Sequence, residues 1–361
     1  MRIYPKKSQI TKLNRWIGIA RYVYNKTLDD IRSGEKINFR HLRDRNVTAK
    51  NNSRVQDWEV ECPKDIRAGA VDDLVSAHKG CFTKGDKFKM RYRSKKSKTS
   101  CIHIPKSSVT IEGKSFTVYP NYKIGAIRLS RDKALKDITS LEHDSKIYRE
   151  HNKWYLLIPI KVYTSSIDSD VPCALDPGVR NFQTVYSDIS TARFGINKVL
   201  LRKLQEKIDL SRSLRDRGRL SHSRYKRKVY RLYTRLDNLI NDMHYRVIDY
   251  LSNRFSTVFI PSFETQKMTM KSRNRFLNRN ILSLKHYLFK KRLVEKYSLI
   301  RNGICIPVTE EYTSRTCTRC GTLNNIGSSD TLKCENCNLT INRDINGARN
   351  IFLKSLSELF P

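Results

Sequence analysis

Two Cys-x-x-Cys pairs, Cys317-x2-Cys320 and Cys334-x2-Cys337, stand thirteen residues apart near the end of the 361-residue chain. Each pair offers two thiolates about a turn apart. Two pairs together close a tetrahedron of sulfur, the donor set of a structural Zn²⁺ site. Gly321 follows the second ligand, where a knuckle needs a tight turn. A ribbon this small has no core of its own and folds on its metal. Four protein ligands leave no open position, so one structural Zn²⁺ without catalytic duty is expected. The other five of the nine cysteines are scattered, and this pattern suits metal binding in a reducing compartment better than a disulfide scaffold.

Lys plus Arg number 71 against 35 Asp plus Glu, a formal charge of +36. Such an excess repels the chain from itself, and a polyanionic partner would neutralise it. With 39% hydrophobic residues the chain can still build cores, which excludes wholesale disorder. Its longest apolar runs, such as Trp154-Tyr155-Leu156-Leu157-Ile158, are strand-sized, far short of a membrane span. The opening Met1-Arg2-Ile3-Tyr4-Pro5 lacks the apolar stretch of a signal peptide. An intracellular protein without membrane partners is expected, in two or three domains at this length.

Leu13, Ile17, Ala20, Tyr24, Leu28 and Ile31 recur at three- and four-residue intervals, predicting a helix over 10–32. A polar loop is expected over 33–60 and a second helix from Asp65 to Phe82. Residues 84–98 are a charge run with eight Lys or Arg and one acid. From 100 to 163 short β-rich segments alternate with turns. Ser165 to Ser169 reads as a linker. Beyond it, Cys173 to Asp176 and Phe182 to Tyr186 flank Pro177-Gly178 as a hairpin. A long helical stretch over 196–254, bent near Gly218, follows. Strands are predicted at Thr257–Ile260 and Cys305–Thr309, with a helix between them over 280–301, and a last helix over Ile345–Leu359. Strands and helices alternate around the cysteine cluster, so the second half reads as α/β with an insertion.

Asp176 ends an apolar strand before a turn, and Asp344 stands at the mouth of the last helix. Taken singly, each has a bland reading, as a turn residue or an N-cap. Taken together, carboxylates at a first-strand end and a late helix entrance can converge on one sheet edge. With a third acid they would make a two-metal Mg²⁺ site for phosphodiester chemistry.

Longer motifs around these residues resemble the TnpB family of transposon-encoded RNA-guided nucleases, and most its eukaryotic and viral Fanzor branch. Tyr4-Pro5 with Trp16-x-Gly18-x-Ala20-Arg21-x-Val23-Tyr24-Asn25 is similar to that family's amino-terminal motif, and Arg67 with Ala70 to Ala77-x-Lys79 to its next helix. Ala174-Leu175-Asp176-Pro177-Gly178-Val179-Arg180 resembles its first RuvC motif. Tyr312-Thr313-Ser314-Arg315-Thr316-Cys317-x-x-Cys320-Gly321 resembles the zinc-ribbon entry, and Arg343-Asp344-x-Asn346-x-Ala348-x-Asn350-Ile351 the last RuvC motif. The resemblance touches nearly the whole chain.

It implies an RNase H-like (RuvC) α/β nuclease domain with an inserted zinc ribbon, preceded by a helical recognition lobe and a small β-barrel wedge. The boundaries expected are 1–9 for the first wedge strand, 10–83 for the recognition lobe and 84–165 for the wedge. They continue with 166–312 for the nuclease domain, 313–341 for the ribbon and 342–361 for the final helix. The implied activity is RNA-guided, Mg²⁺-dependent cutting of target DNA. A guide RNA from the transposon end and double-stranded target DNA are the implied partners, a monomer is the expected state, and a nucleus or viral replication site is the expected workplace. Where most TnpB proteins carry a second-motif Glu, this chain has Pro261, which cannot bind metal. Glu264 and Glu310 are the two replacements. Alternation places Ile306, Val308 and Glu310 on one strand face with Glu311 pointing away. The assigned site is therefore Asp176, Glu310 and Asp344, holding two Mg²⁺, with Glu264 in reserve.

Between Leu201 and Arg235 stand thirteen Lys or Arg and three acids, with Tyr225, Tyr230 and Tyr233 interleaved. Phosphate contacts along a guide–target duplex are expected there, with Lys84–Lys98 and Tyr92 as a second contact. The eight histidines form no ligand-spaced pair. The competing readings are a nucleic-acid-binding transposon protein whose centre has decayed, kept open by Pro261, and a strand-transfer transposase.

Overall fold

The apolar stripe predicted over 10–32 folds as α1 (Lys7–Arg32), which buries Leu13, Trp16, Ile17, Ala20, Val23, Tyr24 and Leu28 along one face. This computed structural model describes residues 1–48, 50, 52–82, 90–130, 141–161, 164–263, 265, 269–270, 274–327 and 329–359. The chain divides into two compact units, Met1–Lys161 and Val162–Pro361. Among the described residues no helix is long and apolar enough to cross a membrane.

In the first unit β1 (Arg2–Tyr4) precedes α1, and α2 (Phe39–Asn46), α3 (Asp57–Val60) and α4 (Lys64–Phe82) follow. Then come β2 (Thr99–Ile104), β3 (Val109–Glu112), β4 (Ser115–Val118), β5 (Ile127–Leu129), β6 (Ser145–Glu150) and β7 (Lys153–Leu157). The seven strands form one sheet in the order β2-β6-β7-β1-β5-β4-β3. Although first in sequence, β1 lies inside the sheet, with Ile3 opposite both Leu129 and Trp154. One hydrophobic core joins the helices to the sheet, running from Ile3 and Trp16 through Leu74 to Ile102, Phe116, Ile147 and Leu156. Gln9 stitches them further: its Oε1 accepts from Lys6 N at 2.8 Å, and its Nε2 donates to the carbonyls of Ile124 and Ala126.

The stretch 33–60, expected as a polar loop, contains α2 and α3 instead. Asn38 caps α2 by accepting from His41 N, and Leu42 and Val47 are wholly buried. A buried Asp30 on α1 accepts from Asn46 Nδ2 and Arg54 Nη2, each at 2.6 Å, which ties the stretch down through charge. Arg67 is itself buried, donating to the carbonyls of Cys62 (3.1 Å) and Val47 (2.9 Å). Its place in the amino-terminal motifs is thus explained by satisfying buried backbone acceptors.

The second unit is a five-stranded sheet in the order β10-β9-β8-β11-β12. It contains β8 (Pro172–Pro177), β9 (Gln183–Tyr186), β10 (Thr191–Phe194), β11 (Thr257–Pro261) and β12 (Ile304–Val308). β8, β11 and β12 are parallel, while β8 and β9 form the expected hairpin with Asp176 opposite Thr184. The helices described over their length in this unit are α5 (Lys198–Asp216), α6 (His222–Ser252), α7 (Arg275–Leu284), α8 (His286–Tyr297) and α9 (Arg343–Leu359).

Strand alternation sorts side chains between two layers. Cys173, Leu175, Val258 and Ile260 pack with Val247 and Leu251 of α6 and Phe289 and Leu293 of α8. Ala174 and Phe259 face the other way, onto Ile351 and Phe352 of α9. The sheet is therefore sandwiched between helices, as an α/β core requires.

Three local expectations change. The helical stretch over 196–254 is two helices joined at Gly218, whose φ of +70° ends α5, and Leu201 and Leu204 pack against Leu236 and Ile240 of α6. A bend is thus a reversal. The helix expected over 280–301 splits into α7 and α8 at Lys285, which adopts a left-handed conformation while its Nζ holds Asp237 at 2.7 Å. The segment read as a linker is fastened: Ile167 exchanges backbone bonds with the side chain of Asn302 at 2.9 and 2.8 Å.

Candidate active site and metal centre

Asp176 follows Ala174 by two residues and so shares its face of the sheet, toward α9. There it meets Gly347. A Cβ at that position would stand 2.6 Å from Asp176 Oδ2, so bare backbone is what gives this carboxyl its room. Asp344 lies in the first turn of α9. The bland reading of it as an N-cap does not hold, because Asn342 does the capping: its Oδ1 accepts from Asp344 N at 3.2 Å and Ile345 N at 3.3 Å. The Asp344 carboxylate instead accepts from Asn181 Nδ2 at 2.8 Å. Asn181 belongs to the β8–β9 turn, so one hydrogen bond spans the turn and the last helix.

Glu310 comes two residues after β12, a strand whose Ile306 and Val308 also pack toward α9. The Asp176 carboxyl is pushed up to about 8, by burial first, then by Asp344 and Glu310, while Arg343 pulls the other way. Three carboxylates distant in sequence thus act on one spot. Glu311 is exposed, and Glu264 lies outside the described residues. Pro261 closes β11 opposite Val308, two residues beyond Phe259 and on its face. A pyrrolidine ring therefore occupies the strand-end position for which the family resemblance implies a carboxylate.

Behind the hairpin turn, on the opposite face of the sheet, Phe182 is stacked between two imidazoles. His244 lies 5.0 Å and His286 4.9 Å from it, centroid to centroid, with Phe289 edge-on. Burial pulls His244 down to about 4 and His286 to about 3, so both rings stay neutral at working pH. His244 Nε2 donates to Leu284 O at 2.9 Å, leaving Nδ1 to accept from Arg292 at 3.2 Å. These histidines shape the turn that carries Asn181.

The oxygen donors fit a hard divalent cation: three carboxylates from a strand end, the segment after a second strand and the first turn of a helix, crowded enough to suppress ionisation of one. Among the described residues, however, only the four cysteines form a group of three or more candidate ligands already compact enough to hold an ion. Their ligand sulfurs lie within 4.8 Å of one another, including Cys317–Cys337 at 3.6 Å and Cys320–Cys334 at 3.5 Å. Gly321 turns the first knuckle at φ +75° and Asn338 the second at φ +58°, their amides donating to Cys317 O and Cys334 O. The Thr322 hydroxyl, 3.4 Å from Cys320 Sγ, favours its thiolate and pulls it to about 6.

The ribbon is clamped to α9. Asn346 and Asn350 donate to Thr316 O at 2.8 and 2.7 Å, Asn350 also reaches Thr313 O at 2.8 Å, and Asn346 Oδ1 accepts from Thr318 N at 3.1 Å. An ion pair between Arg180 and Asp330 adds a second tie, from the β8–β9 turn. Asn181, Asn338, Asn342 and Gly347 were not singled out by sequence reasoning. Only Gly347 carried a signal, since glycine inside a helix costs about 1 kcal/mol unless packing or function needs it.

A carboxyl raised from about 3.8 to about 8 binds its proton more tightly folded than unfolded. Metal-free protein should therefore lose stability as pH rises between these values. Asp176→Asn removes that loss. The variant's Tm should exceed wild type by several degrees at about pH 8 and by little at about pH 4.5, in thermal melts with EDTA present. Equal differences at both pH values would contradict the crowding.

Comparison with known proteins follows the same outline. A family model described as Cas12f1-like, TNB domain, matches residues 286–351, and a helix-turn-helix domain model matches 1–34, where the structure has β1 and the single helix α1. A protein of Paramecium bursaria Chlorella virus 1 named as a transposase is 29% identical over 396 residues, covering 99% of this chain and 86% of its own. A TnpB-like protein of Acanthamoeba polyphaga mimivirus is 26% identical, covering 97% and 72%. InsQ of Escherichia coli (strain K12), named as an RNA-guided DNA endonuclease, is 26% identical, covering 96% and 89%. Among solved structures, a chain from the cryo-EM Cas12f1–sgRNA–target DNA complex superposes with a TM-score of 0.58 at 16% identity, covering 96% of this chain and 83% of that one. Over nearly its whole length the chain is thus similar to TnpB-like proteins, and it has an RNase H-like (RuvC) α/β fold carrying a cysteine ribbon.

Proposed function

We propose that this chain is an RNA-guided DNA endonuclease of a transposable element, hydrolysing target strands at one centre formed by Asp176, Glu310 and Asp344. The observation that carries this reading is the Asp176 carboxyl, pushed up to about 8 by burial and by the other two acids. Crowded carboxylates at the ends of two parallel strands and the start of a helix are what a divalent ion would compensate. Bound there, Mg²⁺ supplies the clamp on the attacking and leaving oxygens of a phosphodiester. Asp176, Asp344 and Glu310 would hold the ion, with Asp344 aimed by Asn181 and Glu310 taking the part that Pro261 cannot. Gly347 leaves room for the carboxyl of Asp176. Guide RNA and double-stranded target DNA are the partners. The names carried by InsQ and the Cas12f1 complex support that assignment.

The basic face of α5 and α6 serves the nucleic acid. The three acids of its charge run are already engaged, Glu206 by Arg202, Asp216 by Arg215 and Asp209 by Arg279. That leaves the excess of Lys and Arg in the run for phosphates. The cysteine cluster takes Zn²⁺ as a brace for the ribbon.

Asp176→Ala and Asp344→Ala should abolish plasmid cleavage in Mg²⁺ while bound RNA still co-purifies. Glu310→Gln should cut at least a hundredfold more slowly than wild type, and Glu264→Gln at close to the wild-type rate. Full cleavage by either Asp variant ends the proposal, and unchanged Glu310→Gln reassigns the third acid. Pro261 favours one rival, a binding protein with a decayed centre. Purified ribonucleoprotein that leaves matched DNA intact with and without Mg²⁺ would establish it.

Metal removal gives a separate test. A zinc-selective chelator should release about one Zn²⁺ per chain and expose the ribbon to proteolysis, with re-added Zn²⁺ restoring protection. Protection that persists after the metal is gone would contradict a folding role.

A further inference from the structure

Within the unit Met1–Lys161, a cavity of about 630 Å³ opens between α1, the segment leading into β2, and β6. That volume is ample for a small organic ligand. Its floor is apolar, from Ile17 and Ala20, and two aromatic rings, Tyr92 and Tyr148, line it. Arg21, Arg93 and Lys96 bring positive charge, and none of the lining residues is acidic.

The walls are preformed. Asn25 holds both backbone groups of Arg93, accepting from its N–H at 2.8 Å and donating to its carbonyl at 3.1 Å. The Arg93 guanidinium rests 3.9 Å above the Tyr24 ring and bonds Asp73 at 2.8 Å, and Asp73 also engages His103 Nε2 at 2.7 Å. Tyr92 is held by a hydroxyl bond to Asp29 and by the Arg32 guanidinium 4.3 Å from its ring. The segment at 90–93 belongs to the run Lys84–Lys98, read from sequence as a second nucleic-acid contact, whose residues 84–89 lie outside the described residues; it is thus fixed to α1.

The charge, by contrast, is not neutralised. Arg93 is committed to Asp73, but Arg21 and Lys96 form no ion pair among the described residues. Arg149 lies nearby, bonded to Ser100 Oγ at 3.3 Å, and burial followed by the Arg21 charge disfavours its own charged form. A cationic ligand is excluded by that field. A flat heterocycle suits the rings and apolar floor, and a phosphate suits the two free cations.

We propose that this cavity is a binding site for one unpaired nucleotide of a bound nucleic-acid strand, its base against the tyrosine walls and its phosphodiester toward Arg21 and Lys96. The site deepens the nucleic-acid-binding part of the proposed function and does not depend on cleavage.

The test uses the full chain and two fluorescein-labelled single strands of one sequence, RNA and DNA, with anisotropy read across a salt series. Arg21→Ala and Lys96→Ala should each flatten log K against log[salt] by about 0.7, the share of one single-strand phosphate contact. Tyr148→Ala should weaken binding by about five- to a hundredfold, while Tyr148→Phe, which keeps the ring, should bind as wild type. Thermal melts of all variants should match wild type, separating lost contacts from lost fold. A larger loss with the RNA probe assigns the site to the guide, and a larger loss with DNA assigns it to the target. An Arg21→Ala/Lys96→Ala protein that keeps wild-type affinity and slope for both probes overturns the proposal. Asp176→Ala should bind both probes normally, so failure of the nuclease reading and failure of this site are told apart.

Discussion

Like charges brought together at the end of a sheet demand compensation, and in this chain the demand falls on Asp176. Its carboxyl lies among Asp344, Glu310 and the bare backbone of Gly347, with Arg343 as an opposing charge that weighs on it. A protein selected for stability alone would replace such a group, since a buried carboxylate without a partner is expensive. Much of the second unit arranges this crowding. Parallel β8, β11 and β12 deliver strand ends to one edge, α9 crosses their face, and Asn181 bridges from the β8–β9 turn to the helix.

The cysteine ribbon belongs to the same arrangement. It leaves the sheet after Glu310 and returns at Arg343, so its two ends are the two segments that carry site acids. Asn346 and Asn350, one turn apart on α9, collect the carbonyls of Thr313 and Thr316 at the ribbon's entry. Disordering the ribbon would therefore loosen the placement of Glu310 relative to Asp344. A four-cysteine cluster can thus matter to the candidate site by holding backbone in register.

Much of this was legible in the sequence because its signals are local. Pro177-Gly178 between two apolar runs marks a hairpin, a three-and-four periodicity marks α1, and paired Cys-x-x-Cys spacing marks the ribbon. What escaped depends on tertiary partners. α2 is short and charged, and it is held by Asp30 and Arg67 from elsewhere in the unit. Nothing in a lysine announces that Lys285 will turn left-handed and split a helix. Gly218 was read as a bend, because periodic residues continue on either side of a reversal as readily as through a kink. Among the candidate site residues, the acids stood out because their chemistry is scarce in so basic a chain. Asn181 and Asn342 were missed because asparagine is common in turns, and only the folded partners show what each one holds.

The central claim is that three carboxylates from distant segments share divalent ions. The most direct measurement is anomalous diffraction from crystals of the nucleic-acid-loaded protein soaked in Mn²⁺. The account predicts two peaks about 3.5–4 Å apart, flanked by oxygens of Asp176, Glu310 and Asp344. Carboxyl oxygens that stay more than about ten ångströms apart with no peak between them, against the spacing a two-metal site requires, would contradict it.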